Sequence, residues 1–411
     1  MRSPNQVAAC LCAFMSAAAA VLVEVPTPEN FLRRSMARAA LLGKYVYIDG
    51  GLITQLEDGE LRGRGQNQAN TTISIDMSKS WDAKTVVLRS LTNKRAPIKA
   101  NQVLWPDPTG ESFYTFAGQS WLGQGMTDSE VWKFSADGSG GGSWSQVEPA
   151  NPVVLRSIKQ TEHAAVAFTN DTGFAIGGHA TGWTEKDRQT TQAIPGIASF
   201  NFRTKTFSNT TESPFEDPVI GGQARFVEGF GENGLIFMLG GVTIPVDKYS
   251  SVSSSAAVDF STLRFFDPVT KEVYSQKTTG ESPPAPRVNF CNVGFKTPDG
   301  GYEIFVFAGG NERDKITYDD AYVLSLPGFV WNKLPVSPAG TRLHHSCVAV
   351  GTRQVLVVGG TTGSGMKIPD PAPQGLQIFD MTKWEWSFTY ESNDGGVYES
   401  GKAIKEWYEK G

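Results

Sequence analysis

The feature that most constrains the fold of this chain is a short apolar run that ends in glycine and occurs six times in the sequence. The last copy reads Val355-Leu356-Val357-Val358, followed by Gly359-Gly360. The first glycines stand at positions 50, 118, 177, 240, 309 and 359, and the copy at 118 lacks the second glycine. A short apolar run bounded by turn residues is typical of a buried strand, and glycine allows φ > 0 and close backbone approach. The pattern therefore predicts one small sheet repeated six times.

The second half of each repeat also recurs. A strand that ends in an aromatic or apolar residue and Asp is followed by an aromatic residue, as in Ile75-Asp76 before Trp81 and Phe379-Asp380 before Trp386. The last repeat accommodates four strands in about 50 residues, the usual length of a Kelch repeat. The combination resembles the Kelch family, whose repeat carries a glycine pair, an aromatic-Asp strand end and a Trp. The resemblance covers roughly residues 33–390.

The resemblance implies an all-β fold, a six-bladed Kelch-type β-propeller with one four-stranded blade per repeat around a central channel. A seventh blade is the alternative if the chain ends add a partial one. The chain is similar to secreted or cell-wall Kelch-repeat proteins of fungi, and the ring is similar to the central domain of galactose oxidase.

The chain ends predict further segments. Arg2, an apolar stretch from Val7 to Val23 and the small residues 17–20 are typical of a secretory signal, and the stretch is short for a membrane span. We expect a signal peptide at 1–23, a lead-in at 24–34, the propeller at 35–391 and a tail at 392–411 with a short helix. A secreted, extracellular monomer is expected, with cell-wall association as an alternative. A soluble form and an incomplete gene product both fit the end of the sequence.

Charge argues against two classes of partner. The net charge is −5 and no block of basic residues occurs. Nucleic acids and anionic membrane surfaces attract basic patches, so neither is expected as a partner. The predicted partners are an extracellular protein or a glycan.

Two cysteines, Cys291 and Cys347, remain after removal of the signal, and both lie in the first strand of their repeats. Blades 5 and 6 are neighbours in the propeller, so a disulfide between them is one interpretation. Two separate buried thiols are the simpler one, because adjacent blades splay apart and a bridge needs Cα atoms within about 7 Å. The N-glycosylation pattern occurs at three residues: Asn70, Asn170 and Asn209.

Catalytic motifs are sparse. The chain has four His, and it has no zinc-finger, metalloprotease or phosphate-loop pattern. We therefore expect no catalysis, no cofactor and no metal. The alternative is a secreted carbohydrate-active oxidase or lyase on a galactose oxidase-like ring. The copper radical oxidases of that group need a Tyr-His pair and a later domain that are missing here. The Glu-Asp-His cluster of plant iron-dependent specifier proteins is missing too.

The predicted activity is binding. Arg38, Arg225, Arg287 and Arg342 stand near the starts of first strands. The resemblance implies that such arginines ring the mouth of the channel, where they would favour carboxylate, phosphate or acidic peptide. The alternative is a structural role, in which each Arg bonds the backbone of a neighbouring blade or an acidic side chain.

Four more residues complete the predicted site. Trp121, Trp183 and His179 lie on the loops after glycine pairs, where an exposed Trp could stack on a sugar ring. Packing of either Trp within its loop is the alternative. His344 and His345 alternate along a strand, so at most one faces the channel, and His345 is the candidate. The sequence thus predicts a secreted binding or scaffold module for extracellular proteins or cell-wall glycans.

Overall fold

The structure is a computed structural model. It describes residues 25–63, 66–91, 95–120, 128–186, 188–211, 213–246, 255–280, 283–363, 365–393 and 395–410. The predicted signal peptide and Trp121 lie outside these residues. The described chain is nearly all β, and its sheets are antiparallel apart from one short parallel pairing.

The first two repeats supply β1 to β13. The strands of the first repeat are β1 (Phe31–Ser35), β2 (Arg38–Leu42), β3 (Tyr45–Asp49), β4 (Leu52–Glu57), β5 (Glu60–Leu61), β6 (Asn67–Gln68), β7 (Thr72–Asp76), β8 (Trp81–Asp82) and β9 (Arg89–Leu91). Those of the second are β10 (Val103–Pro106), β11 (Ser112–Phe116), β12 (Val131–Ala136) and β13 (Gly142–Val147).

Helix α1 (Pro152–Ser157) leads into the third and fourth repeats. The third contains β14 (Ala165–Phe168), β15 (Thr172–Ile176), β16 (His179–Ala180), β17 (Gln192–Ala193), β18 (Ile197–Asn201) and β19 (Phe207–Thr210). The fourth contains β20 (Val219–Ile220), β21 (Gln223–Val227), β22 (Leu235–Leu239), β23 (Val242–Thr243), β24 (Ala256–Ala257), β25 (Thr262–Phe266) and β26 (Val273–Lys277).

The last two repeats and the tail complete the chain. The fifth contains β27 (Thr279–Gly280), β28 (Cys291–Lys296), β29 (Tyr302–Phe307), β30 (Gly310–Asn311), β31 (Ile316–Thr317), β32 (Ala321–Leu326) and β33 (Val330–Leu334). The sixth contains β34 (Ser346–Val350), β35 (Gln354–Val358), a 3₁₀ turn (Pro373–Gly375), β36 (Leu376–Asp380), β37 (Glu385–Ser387) and β38 (Thr389–Tyr390), and helix α2 (Lys402–Lys410) follows.

Each repeat builds one sheet with four main strands, and we number the sheets 1 to 6 in chain order. Their strand orders are β2-β3-β7-β9, β10-β11-β12-β13, β14-β15-β18-β19, β21-β22-β25-β26, β28-β29-β32-β33 and β34-β35-β36-β37. Short β27 adds to sheet 5 in parallel with β33. The four main strands of every sheet come from one continuous stretch of chain, so no strand is exchanged between repeats.

The apolar runs are explained by burial of both faces of the second strands. In β35, Val355 and Val357 pack in the core shared by sheets 5 and 6, whereas Leu356 and Val358 pack in the core shared by sheets 6 and 1. Successive side chains of a strand point to opposite faces, so a strand between two cores is apolar at every position. The other large cores lie between sheets 1 and 2, 2 and 3, 3 and 4, and 4 and 5.

Backbone hydrogen bonds link each glycine pair to the next sheet. The second residue of each pair donates its N–H to a carbonyl just before the first strand of the following sheet. The six bonds are Gly51 to Lys99, Gly118 to Thr161, Gly178 to Val219, Gly241 to Arg287, Gly309 to Arg342 and Gly360 to Arg34, at 2.7–2.9 Å. Gly360 bonds Arg34, so the last repeat connects to the first.

The same bonds show that two of the pairs were assigned one residue too late in the sequence. The structural pairs in the second and fifth repeats are Ala117-Gly118 and Ala308-Gly309, and all four residues have φ > 0. Alanine thus replaces the first glycine of these pairs, whereas the sequence suggested that Gly118 had lost the second and that Gly309 was the first. The second position is glycine in each of the six repeats, where φ lies between 82° and 109° and a Cβ would meet neighbouring atoms at 3.0 Å or less.

The ends of the propeller-like region also meet. Strand β38 pairs with β8, with Tyr390 opposite Trp81, and the Tyr390 hydroxyl donates to the Met77 carbonyl at 3.1 Å. The predicted C-terminal helix is present as α2, whose Ile404 is buried against sheet 5 together with Tyr398. No helix among the described residues is both long and apolar enough to cross a membrane.

The structure corrects the expectation of two separate thiols. Cys291 in β28 and Cys347 in β34 form a disulfide, with Cα atoms 5.6 Å apart. The sheets do splay apart, but β28 and β34 are the first strands of sheets 5 and 6 and contact each other directly.

Candidate functional site

A ring of residues with positive φ surrounds the place where the first strands converge. One such residue precedes the first strand of each sheet: Met36, Asn101, His163, Gly221, Asn289 and His344, with φ between 52° and 68°. Asn289 N–H donates to the Gly221 carbonyl at 2.8 Å, and His344 N–H donates to the Asn289 carbonyl at 2.9 Å. The turn these residues make brings five of them to the hub, where Asn101, His163, Gly221, Asn289 and His344 line a narrow space.

A cavity of about 600 Å³ opens beside this ring, on the side of the glycine pairs. Its apolar wall comes from the fourth and fifth repeats and includes Ile220, Val242, Ile244 and Val288. Its polar lining consists of His163, His179, Ser255, Arg287, Asn289, Asn311, Glu312, Arg313 and Asp314. A concave site of this size with apolar walls and a few polar groups is typical of ligand-binding pockets.

Glu162, His163 and His179 form a compact cluster at the edge of the cavity. Glu162 Oε1 lies 3.4 Å from His179 Nε2, and Glu162 Oε2 lies 3.6 Å from His163 Nδ1. The two imidazole rings stack with centroids 5.2 Å apart. Paired backbone hydrogen bonds between Glu162 and His179 hold the two loops in register. The Thr181 hydroxyl donates to Glu162 Oε1 at 3.1 Å and fixes the carboxylate.

The pKa values describe a neutral imidazole beside a carboxylate. Burial lowers the pKa of His163 well below its ordinary value, and nearby Arg38 lowers it further. Burial alone would raise the pKa of Glu162, but the hydrogen bond to His179 and the attraction of His163 bring it below its ordinary value. His163 is therefore neutral near pH 7 and Glu162 is ionised.

Two of the predicted arginines have the structural role that the sequence left as the alternative. The Arg287 side chain is fully buried and bonds Asp320 and the carbonyls of Ala285 and Ala308. Arg342 is fully buried too, donating to Asp370 Oδ1 at 3.2 Å and to the Gly359 carbonyl at 2.7 Å.

The other two arginines lie in a separate space. Arg38 and Arg225 line a channel of about 340 Å³ between the first strands. Arg38 donates to the Gln102 carbonyl and Asn101 Oδ1, and Arg225 donates to both oxygens of Asn292. Burial lowers the pKa of Arg38 to about 10, so it stays charged at neutral pH. The four arginines therefore do not share one pocket.

The remaining residues of the predicted site also lie in different places in the fold. His179 lines the cavity, whereas His345 is buried beside Phe307, with Nε2 3.2 Å from the Phe307 carbonyl, and burial lowers its pKa to about 3. Trp183 is 46% exposed on the loop after Gly178. Asn170 and Asn209 are exposed, and Asn70 is partly buried.

Sequence reasoning missed the pairing of Glu162 with His163 and the polar loop Asn311–Asp314. There was a signal for His163. When the repeats are aligned on their glycine-pair hydrogen bonds, His163 occupies the same position as Asn289 and His344. The sequence carried no signal for the loop Asn311–Asp314, because this loop reaches the cavity only through the packing of sheets 4 and 5.

Comparison with known proteins adds one relative. No protein-family profile matches the chain. Over 420 aligned residues the chain is 24% identical to a Kelch repeat-containing protein of Arthroderma benhamiae. The alignment covers 90% of the chain. The similarity supports a Kelch-repeat assignment for this chain. The resemblance rests on the six repeats described above. Four of them have a glycine pair and two have an Ala-Gly pair, and the fourth and sixth have the strand ends Phe266-Asp267 and Phe379-Asp380. The chain spans 59% of the length of this relative.

Proposed function

We propose that this chain is a secreted six-bladed Kelch propeller that acts as a binding or scaffold module for an extracellular protein or a cell-wall glycan. Six blades are supported by the cyclic order of contacts among the first strands, in which β34 contacts both β28 and β2. The bond from Gly360 to Arg34 and the core shared by sheets 6 and 1 support closure in the same way.

The observation that carries the binding proposal is the cavity beside the hub. Its walls bring residues from the third, fourth and fifth repeats together, as expected where loops of several blades converge on a rigid ring. Kelch repeats generally mediate protein binding. Apolar Ile220, Val242 and Ile244 can take an apolar side chain of a partner, while Glu312 and Asp314 offer acceptors at the exposed rim. We therefore favour a protein segment as the occupant.

A glycan is the second candidate because Trp183 is exposed on the loop that follows Gly178. An exposed indole can stack on the apolar face of a sugar ring. Trp183 follows His179, which lines the cavity, by four residues. Oxidase chemistry with a Tyr–Cys cross-link gains no support, since Cys291 and Cys347 are bonded to each other.

The test compares two tryptophan substitutions in β24. Ala257 lines the cavity, whereas Ala256 is its neighbour on the strand and does not, so Ala257→Trp fills the cavity and Ala256→Trp is the matched control. Binding of the wild type and both variants would be measured against purified extracellular proteins of the source organism and a panel of cell-wall polysaccharides.

The proposal predicts that Ala257→Trp loses binding while Ala256→Trp retains it. Binding that both variants retain would place the site elsewhere. Absence of binding to either class of partner would overturn the proposal. Loss of polysaccharide binding in Trp183→Ala alone would select the glycan over the protein segment.

A further inference from the structure

We propose that Glu162, His163 and His179 bind a divalent transition metal ion of the zinc class. This inference does not depend on the partner of the cavity. One ligand atom from each residue lies within 4.8 Å of the other two. A carboxylate and two imidazoles are a ligand set that zinc uses where one coordination position stays open.

The distances fit such a site. Bond lengths of about 2.0–2.2 Å place the ligand atoms of a tetrahedral zinc ion roughly 3.4 Å apart. Glu162 Oε1 and His179 Nε2 are 3.4 Å apart, and Glu162 Oε2 and His163 Nδ1 are 3.6 Å apart. Small rotations of the side chains would bring all three onto one ion. The ion would require neither a new loop conformation nor a change in the sheets.

A nitrogen atom of the cluster is also available as a ligand. An imidazole coordinates metal only when neutral, and its affinity falls when protonation competes. The buried Nδ1 of His163 has no hydrogen-bond partner among the described residues. A bound cation would satisfy a buried nitrogen that lacks a partner and lies next to a carboxylate.

The surroundings fix the carboxylate and leave one direction open. Glu162 is 4% exposed and accepts a hydrogen bond from Thr181, the type of outer contact that orients a ligand. Both imidazoles line the cavity, whereas Glu162 lies behind them. The fourth coordination position would therefore point into the cavity, where a water or a donor atom of a bound partner would complete the tetrahedron.

The experiment uses untagged protein freed of metal by a chelator. Binding of Zn²⁺ would be measured by calorimetry, and binding of Co²⁺ by its visible absorption, which is intense only in a tetrahedral site. The variants are Glu162→Gln, which keeps the shape and the Thr181 contact, and His179→Gln. His344→Asn is the matched control, because His344 has the same left-handed backbone as His163 but lies outside the three ligands.

The wild type is expected to bind one Zn²⁺ and to give a tetrahedral Co²⁺ spectrum. Each ligand variant should weaken binding by more than the roughly 10- to 100-fold typical of outer-shell changes. His344→Asn should bind as the wild type does. No Zn²⁺ binding to the wild type, ligand variants that bind normally, or an equal loss in His344→Asn would each overturn the site.

A second measurement covers the case in which the variants do not fold. The electron paramagnetic resonance spectrum of Cu²⁺ bound to the wild-type chain reports directly on nitrogen ligands. Splitting from two imidazole nitrogens supports the assignment, and a spectrum with oxygen ligands only rejects it. No partner is present in either measurement, so failure here leaves the binding proposal unaffected and the reverse also holds.

Discussion

The second glycine of each pair is the residue on which the contact between neighbouring sheets depends. A Cβ built on Gly51 would lie 2.5 Å from the Ala37 nitrogen and 2.5 Å from the Ser35 oxygen. Both are backbone atoms of the same repeat, which cannot move aside cheaply. Gly51 also has φ = 82°, a conformation that side chains with a Cβ disfavour. Sterics and backbone conformation therefore both select glycine.

Substitution of two glycines with the same φ separates these two effects. Gly59 also has φ = 82° but has no atom within 4 Å of its added Cβ. Gly59→Ala should lower the free energy of unfolding by about 1–2 kcal/mol, the cost of the left-handed conformation alone. Gly51→Ala should cost at least about 2 kcal/mol more, because overpacking adds to it. Urea denaturation measures both, and equal losses would contradict the steric explanation.

At the scale of elements, the tail is fastened to sheet 5 through a buried acid. The Tyr398 hydroxyl donates a hydrogen bond to Glu303 Oε2 inside the core that also contains Ile404. Burial raises the pKa of Glu303 above its ordinary value. The Tyr398 hydroxyl is unaffected by this titration near neutral pH, because its own pKa is raised too.

The raised pKa of Glu303 makes stability depend on pH in a definite direction. Between the unfolded pKa of about 4.5 and the higher folded pKa, the folded protein binds more protons than the unfolded one. Stability contributed by this group is thus complete below the lower value and falls as the pH rises through the window. Glu303→Gln should remove this fall and stabilise the tail at neutral pH.

Hydrogen exchange of the amides at 402–410 measures attachment of the tail directly. Protection should decline as the pH rises above about 4.5 in the wild type after correction for intrinsic exchange, and it should stay level in Glu303→Gln. The exposed Glu312→Gln is the control and should behave as the wild type does. A level wild-type profile would show that burial does not perturb Glu303.

At the scale of the whole molecule, the disulfide joins two sheets at the hub. Cys291 and Cys347 are 56 residues apart in sequence. Closing a loop of that length restricts the unfolded chain and is worth roughly 4 kcal/mol in the chain-entropy account. The double change Cys291→Ala/Cys347→Ala should lower the free energy of unfolding by about 2–4 kcal/mol.

Reductant provides the control for this prediction. It should destabilise the wild type to the level of the double variant and leave the variant unchanged. Mass spectrometry of the unreduced protein should find the peptides that contain the two cysteines linked. Two free thiols in oxidised wild-type protein would contradict the disulfide.

The sequence by itself determined the repeat and most of its strands. Runs such as Val355–Val358 are apolar at every position because both faces of the strand are buried, and turn residues bound them. These are local properties, so they are visible without knowledge of partners. The C-terminal helix was predicted for the same reason, from the spacing of its apolar residues.

Only the tertiary structure decided which side chains meet at the hub. Arg342 pairs with Asp370 across the sixth repeat, Cys347 bonds Cys291 of the neighbouring sheet, and Glu162 meets His163 and His179 at the edge of the cavity. Four arginines at similar places in the repeats were predicted to share one mouth, yet they divide between buried ion pairs and the channel. A one-residue difference along a strand reverses the direction of a side chain, and loops of unequal length determine what fills the space above it.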